Sequence, residues 1–174
     1  MKILETERLI VREMDAVRDA AFVNALLNSP KFIKYIGDRG VRSEDEAREF
    51  IETRYRKSYS DHGYGLYTVE LKEGGQQIGM CGFVRRDTLP GPDIGFAFLP
   101  EFEGKGYGYE SAAAMMDHGR KVLGFERVLA ITSPDNEVSG RLLAKIGFQF
   151  DGMIGPPDGE PLRLFVWAGP RHAP

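Results

Sequence analysis

Between Pro100 and Ser111 the chain reads PEFEGKGYGYES, with glycines at 104, 106 and 108 and apolar residues at helical spacing directly behind. Glycines let a backbone turn sharply and approach a ligand closely. The first N–H groups of a helix have no intrahelical acceptor and sit at the positive end of its dipole. Lys105 adds a positive charge. Such a combination binds anions, and phosphate is the usual guest. The bland alternative is a surface turn. A P-loop does not fit, because Gly104-Lys105 is followed by Gly106 where Ser or Thr is required. A dinucleotide fingerprint matches Gly106 to Ser111 more closely. That motif opens directly after a parallel strand and leads to an acidic residue ending the next one. Here Pro100 and further residues follow Phe98, and Glu126 precedes the next strand. A nucleotide-dependent oxidoreductase therefore ranks second.

The other reactive side chains are sparse. Asn136 closes the stretch SPDN, a good helix start, so capping is its ordinary role. Asp93 follows a Pro-rich turn and reads as a solvated strand end. Tyr107 and Tyr109 read as loop packing. His118 and His172 have no partner at metal-ligand spacing, and no metal is expected. Cys81, the only cysteine, lies in the apolar run MCGF and reads as a buried small hydrophobe. It can form no intrachain disulfide and suits a reducing cytoplasm.

These residues need elements to position them. RLIVREM (8–14) reads as a first strand, with Asp15 capping a helix on Phe22, Val23, Leu26 and Leu27 that ends before Pro30. Ser43-Glu44-Asp45-Glu46 is a capping box ahead of a second helix on Ala47, Phe50, Ile51, Arg54 and Tyr55. GLYTVELK and QQIGMCGFVRR form a hairpin around Gly74-Gly75, and DIGFAFL is the next strand. There Ile94, Phe96 and Phe98 share one face, and Gly95 and Ala97 the other. A helix follows the glycine loop, then strand RVLAIT, then a helix from Asn136 to Lys145 with Val138, Leu142 and Ile146 on one side, stopped by Gly147. Residues 148–154 and 162–167 read as two final strands. The order β-α-α-β-β-β-α-β-α-β-β predicts an α/β (α+β) mixed sheet with helices on its faces.

The 174 residues suit one domain, spanning 1–168, with a mobile tail at 169–174. A net charge of −3 gives no cationic field for nucleic acid. No run approaches the ~20 apolar residues of a membrane span, and the opening MKILETE is not a secretory signal.

Strand DIGFAFLPEF, loop EGKGYGYES and helix AAAMMDHGRKVLGFERV, followed by SPDNEVSGRLLAKIGFQFDG, resemble the acyl-CoA-binding core of the GNAT superfamily of N-acetyltransferases. The opening TERLIVREM is similar to the ribosomal-protein N-terminal acetyltransferase (RimJ/RimL-type) branch. The resemblance spans about Leu4 to Trp167. It implies the GNAT fold, a mostly antiparallel central sheet that splays apart and is flanked by helices. It implies acetyl-CoA as co-substrate, its pyrophosphate held by backbone amides along Gly104, Lys105, Gly106, Tyr107, Gly108 and Tyr109. Glu103 departs from the family's Gln or Arg. The pantetheine arm would pair with strand backbone around Phe98 and Leu99, and a nearby bulge would supply an N–H to the thioester oxygen. Asn136 maps to the cofactor-contacting Asn of the N-x-x-A/S motif.

The implied reaction is direct acetyl transfer to a neutral primary amine, either a protein N-terminal α-amine or a small amine. The family's usual Tyr acid falls on Leu143, so no Tyr acts there. By the same analogy Ser139 is a candidate donor to the departing thiolate, with close packing as its ordinary role, and Asp93 is the candidate base. His62 could line the acceptor side. The acidic helix start SEDEAREF reads as a solvated face, with an acidic rim for a cationic amine as the alternative. A non-catalytic acyl-CoA sensor is the non-enzymatic reading. The protein is expected to be a monomer or homodimer.

Overall fold

Period-two apolar patterning folds into eight short strands, all but the first of them expected, and helical spacing into the layers over them. The computed structural model describes residues 1–156 and 159–169. Strands β1 (Lys2–Glu5), β2 (Leu9–Arg12), β3 (Leu66–Leu71), β4 (Gln77–Val84), β5 (Asp93–Phe98), β6 (Arg127–Thr132), β7 (Gln149–Ile154) and β8 (Leu162–Ala168) form one sheet in the order β1-β2-β3-β4-β5-β6-β8-β7. Every neighbouring pair is antiparallel except β5 and β6.

That exception builds the site. β5 and β6 pair at one register position, Asp93 opposite Leu129, where the Leu129 N–H donates to Pro92 O at 2.9 Å. Beyond it the two strands diverge, and a V opens between Phe98 and Thr132. This is the expected splay.

The sheet buries both faces. On one, Ile94, Phe96 and Phe98 pack with Ala112, Met115 and Met116 of α5 (Tyr107–Lys121). On the other, Ala97 and Leu99 pack with the residues of α1 (Ala20–Leu27) and α3 (Glu44–Phe50). The alternation expected of DIGFAFL is therefore what separates the two cores.

Several expectations change. β1 was not expected; KILE is four residues long, with only Ile3 and Leu4 partly buried, too short to show a period. Pro30 does not merely follow α1: it opens the short helix α2 (Pro30–Tyr35), where a missing N–H costs nothing. Asp15 caps the turn before α1, accepting from the N–H groups of Val17 and Arg18, and α1 itself starts after Asp19. The capping box forms, but Glu46 reaches back to the Arg42 N–H while Ser43 Oγ accepts from Glu46 N. Past Phe50 the helix continues as a π-helical stretch, Ile51–Arg56, before α4 (Lys57–His62). In α6 (Glu137–Lys145) the fully buried residue is Leu143, whereas Val138 is exposed. No register shift interrupts the β4–β5 ladder, so the expected bulge is absent from that pair. Of the tail, Gly169 is held by its N–H donating to Glu126 O at 2.8 Å. Residues 170–174 lie outside the described residues.

Candidate active site

One cleft of about 1430 Å³ follows the opening between β5 and β6 from the glycine loop to α2 and the π-helical stretch. A single drug-sized ligand needs roughly 300–1,000 Å³, so there is room for two reactants.

The loop forms its mouth. Gly104 has φ +74° and Gly106 φ +84°, left-handed values that side-chain-bearing residues rarely adopt. They bend the chain into the N-terminus of α5, where Gly106 is the N-cap. Among the described residues, no acceptor takes the N–H groups of Gly104, Lys105, Gly106, Tyr107, Gly108 or Tyr109. Six consecutive free donors at a helix start form an anion cradle. Arg8, in the turn between β1 and β2, braces it. Its Nε donates to Glu110 at 2.7 Å, its Nη1 to Lys105 O at 3.0 Å, and its guanidinium lies 4.4 Å from the Tyr107 ring centre. Glu110, in the first turn of α5, is held below its ordinary pKa. Burial opposes that shift, but hydrogen bonds from Thr6 and Arg8 outweigh it.

Lys105 is not part of the cleft wall; its ammonium sits 5.7 Å from the Phe102 ring. Lys145 and Arg141 of α6 line the cleft instead. Glu103 lines it too, ion-paired with Lys31 of α2 at 2.5 Å. The acid that departs from the family pattern is thereby neutralised.

Further in, strand alternation decides which backbone faces the opening. Leu99 donates its N–H to Ile78 O at 2.9 Å, so odd-numbered residues of β5 turn toward β4. Phe96 and Phe98 therefore turn their N–H and C=O groups toward the opening. Leu99 is not on the cleft wall, and its N–H is already taken; Phe96 was missed. Across the gap, Thr132 is only 7% exposed, and its buried Oγ1 has no hydrogen-bond partner among the described residues. It lines the cleft. An orphaned hydroxyl there is a vacant hydrogen-bond position. Sequence reasoning missed it, because Thr at a strand end carries no signal.

Asn136 is the N-cap of α6, its Oδ1 accepting from Ser139 N at 3.3 Å; the capping role is real. Both residues line the cleft, and the Asn136 amide N–H₂ remains available. Leu143 is buried, with no hydroxyl to offer. Tyr107 and Tyr109 line the mouth.

Asp93 is not a solvated strand end. It is 1% exposed, at the vertex of the V, and receives the Arg86 Nε at 3.1 and 3.3 Å. Burial pushes its pKa up to about 6, although Arg86 pulls the other way. His62 lies off the cleft, its ring tilted against that of Tyr64 at 6.0 Å. Glu44, Asp45 and Glu46 are also off it; Phe50, Arg54 and Tyr55 form that wall. Cys81 is fully buried, its thiol pushed up to about 12 by burial. No group of three potential metal ligands occurs among the described residues. None of their helices is long and apolar enough to cross a membrane.

The free amide cradle, the outward-turned backbone of Phe96 and Phe98, and the orphaned Thr132 hydroxyl fit a pyrophosphate joined to an amide-bearing arm. Comparison with known proteins gives the family. The acetyltransferase (GNAT) domain family matches residues 8–149. The uncharacterized N-acetyltransferase YoaA of Bacillus subtilis is 30% identical over 153 residues, covering 87% of this chain and 85% of that protein. The [ribosomal protein uS5]-alanine N-acetyltransferase of Escherichia coli is 28% identical over 156 residues, covering 86% and 79%. The crystal structure of a GNAT-family acetyltransferase from Bacillus anthracis superposes with a TM-score of 0.78 at 25% identity, covering 97% and 98%.

Proposed function

The chain belongs to the GNAT acetyltransferase family and is an acetyl-CoA-dependent N-acetyltransferase; from that premise we propose how its residues divide the work. The observation that carries the reading is the splay of β5 from β6 with unpaired backbone donors at its mouth. Residues 1–168 act as one catalytic domain, since a single sheet supports both cores.

The amides of Gly104 to Tyr109 hold the pyrophosphate, with Lys145 and Arg141 as the nearby cations. The backbone of Phe96 and Phe98 aligns the pantetheine arm, and Thr132 and Asn136 donate to it from the β6 side. Bound acetyl-CoA supplies an acyl thioester whose carbonyl carbon accepts the amine. Asp93, ionised above pH ~6, takes the proton that the attacking amine sheds. Ser139 Oγ donates to the departing sulfur. A positioned acid or base of this kind contributes typically 10²–10⁴-fold. The acceptor is a primary amine, either a protein N-terminal α-amine, as in the uS5-modifying relative, or a small amine. The buried Cys81 suits a reducing, cytoplasmic setting.

Titration calorimetry tests the cofactor assignment. Acetyl-CoA is expected to bind at micromolar Kd and NAD to give no heat; binding of NAD alone overturns it. Gly106→Val is expected to raise the acetyl-CoA Kd by about 100-fold, because a β-branched residue resists φ +84° and its Cβ meets Arg8 Nη2 at 3.3 Å, shifting the loop amides. The same strain costs folding only about 1–2 kcal/mol. Unchanged affinity would sink the cradle. Thr132→Val isolates the orphaned hydroxyl. The Kd for acetyl-CoA is expected to rise about 5- to 10-fold while the melting temperature holds or rises, since an unpaired buried hydroxyl is itself costly. An unaltered Kd means that Thr132 does not touch the cofactor.

A further inference from the structure

The wall of the cleft opposite the glycine loop has its own charge pattern. It is built by Phe50, Arg54 and Tyr55 of the α3 and π-helical stretch, by Arg39 of the α2–α3 connection, and by Arg86 beside β5. Every carboxylate on this wall is already paired: Asp38 with Arg42 at 2.5 Å and Asp93 with Arg86 at 3.1 Å. Two guanidinium groups, Arg39 and Arg54, have no carboxylate partner among the described residues. Arg54 lies only over the Phe50 ring, at 6.0 Å.

The local backbone explains the grouping. A π-helical turn takes more residues than an α-helical one, and such turns recur at functional sites. In the stretch 51–56 the wider turn sets Arg54 and Tyr55 side by side below Phe50, and all three line the cleft. Arg39 lies close enough to Tyr55 to oppose the burial that raises the Tyr55 pKa. The acidic triplet Glu44, Asp45 and Glu46, which would attract a polycation, does not line the cleft.

We propose that the acceptor is a primary amine that also carries a carboxylate, recognised by Arg39 and Arg54 while its amine reaches Asp93. Guanidinium forks match carboxylates bidentately, and a like charge on this wall repels polyamines. The proposal rests on the N-acetyltransferase reading above and adds the chemical class of its acceptor.

The test measures thiol release from acetyl-CoA with three probes at equal concentration: the peptide Ala-Glu-Tyr with free carboxylates, Ala-Gln-Tyr-amide without any, and spermidine. The acidic peptide is expected to have a kcat/KM about 10- to 100-fold above that of the neutral amide, with spermidine lowest. Arg54→Gln with Arg39→Gln is expected to collapse the acidic-to-neutral ratio toward one, and Arg54→Glu to move spermidine above the acidic peptide. A ratio is read because general damage to the enzyme cancels in it. Equal use of the three probes, or preference for spermidine, overturns the acceptor class and leaves the transferase standing. Thiol release with none of them, from protein that binds acetyl-CoA, overturns the transferase reading and this proposal together.

Discussion

Replacing Asp93 with Asn is expected to lower kcat by about 10²–10⁴-fold and to erase the acid limb of the pH–rate profile. The wild-type limb should fall near pH 6, where burial has moved this carboxylate from its ordinary value of 3.8. Below that pH Asp93 holds a proton and cannot take another; above it the base is free. A second limb belongs to the acceptor, since a free α-amine loses its proton near pH ~8. Ser139→Ala separates the two roles. It should lower kcat and leave the limb near pH 6 in place, because Ser139 Oγ does not titrate there. A limb near pH 6 that survives Asp93→Asn assigns the base elsewhere. A Ser139→Ala variant at the wild-type rate removes Ser139 from the sulfur's surroundings.

The same substitution has a stability consequence of opposite sign. Asp93 binds its proton more tightly folded than unfolded. Its contribution therefore favours folding below the unfolded value, declines as pH rises through about 4 to 6, and is an unfavourable plateau at pH 7. A shift from 3.8 to about 6 corresponds to about 3 kcal/mol. Asn cannot ionise, so Asp93→Asn should melt no lower than the wild type at pH 7 even though Arg86 loses a partner. Arg86 is part-exposed and can turn to water. A site that gives up stability for a usable base is what a functional carboxylate entails.

Most of the frame was legible from local chemistry. The glycine loop, the period-two strands and the Ser43 cap are written within a few residues, and local rules read them correctly. So are Asn136 at a helix start and the alternation that turns Phe96 and Phe98 toward α5. What escaped depends on residues distant in sequence. Asp93 after LPGP looks like a solvated strand end, and only the packing of β4, β5 and β6 buries it. Arg8 braces a loop about a hundred residues away, and Lys31 neutralises Glu103 across 72 positions. Lys105 sits inside the motif yet points to Phe102, while Lys145 and Arg141 come from another helix. The π-helical turn has no sequence rule, because IETRYR has ordinary α-helical spacing.

The network that sequence reading missed entirely carries the largest expected stability effect. Asp19, at 0% exposure, accepts both Nη atoms of Arg12 at 2.8 Å, the Asp15 N–H at 2.8 Å, the Gln77 amide at 3.1 Å and the Thr68 hydroxyl at 3.2 Å. Arg12 turns its Nε to Glu70 at 2.9 Å, and Glu70 also takes Arg18 at 3.1 Å. Burial alone would raise the Asp19 pKa, but the hydrogen bonds from Arg12, Asp15 and Gln77 outweigh it and hold it below the ordinary range. Its stabilisation is thus present above the unfolded value and lost as pH falls through the folded one, the reverse of Asp93. Asp19→Ala leaves a buried guanidinium with half its partners, a change that costs about 3–5 kcal/mol. In a chain this size that is a drop of roughly 6–20 °C in melting temperature. Urea unfolding at pH 7 measures it directly, and a loss under 1 kcal/mol would mean that water replaces the carboxylate at no cost. Asp19→Asn keeps an oxygen for two of the donors and should fall between. These residues tie β2, β3 and β4 to the start of α1, the layer that carries the Arg54 wall. The acceptor side of the cleft is therefore expected to loosen first as Asp19 is protonated.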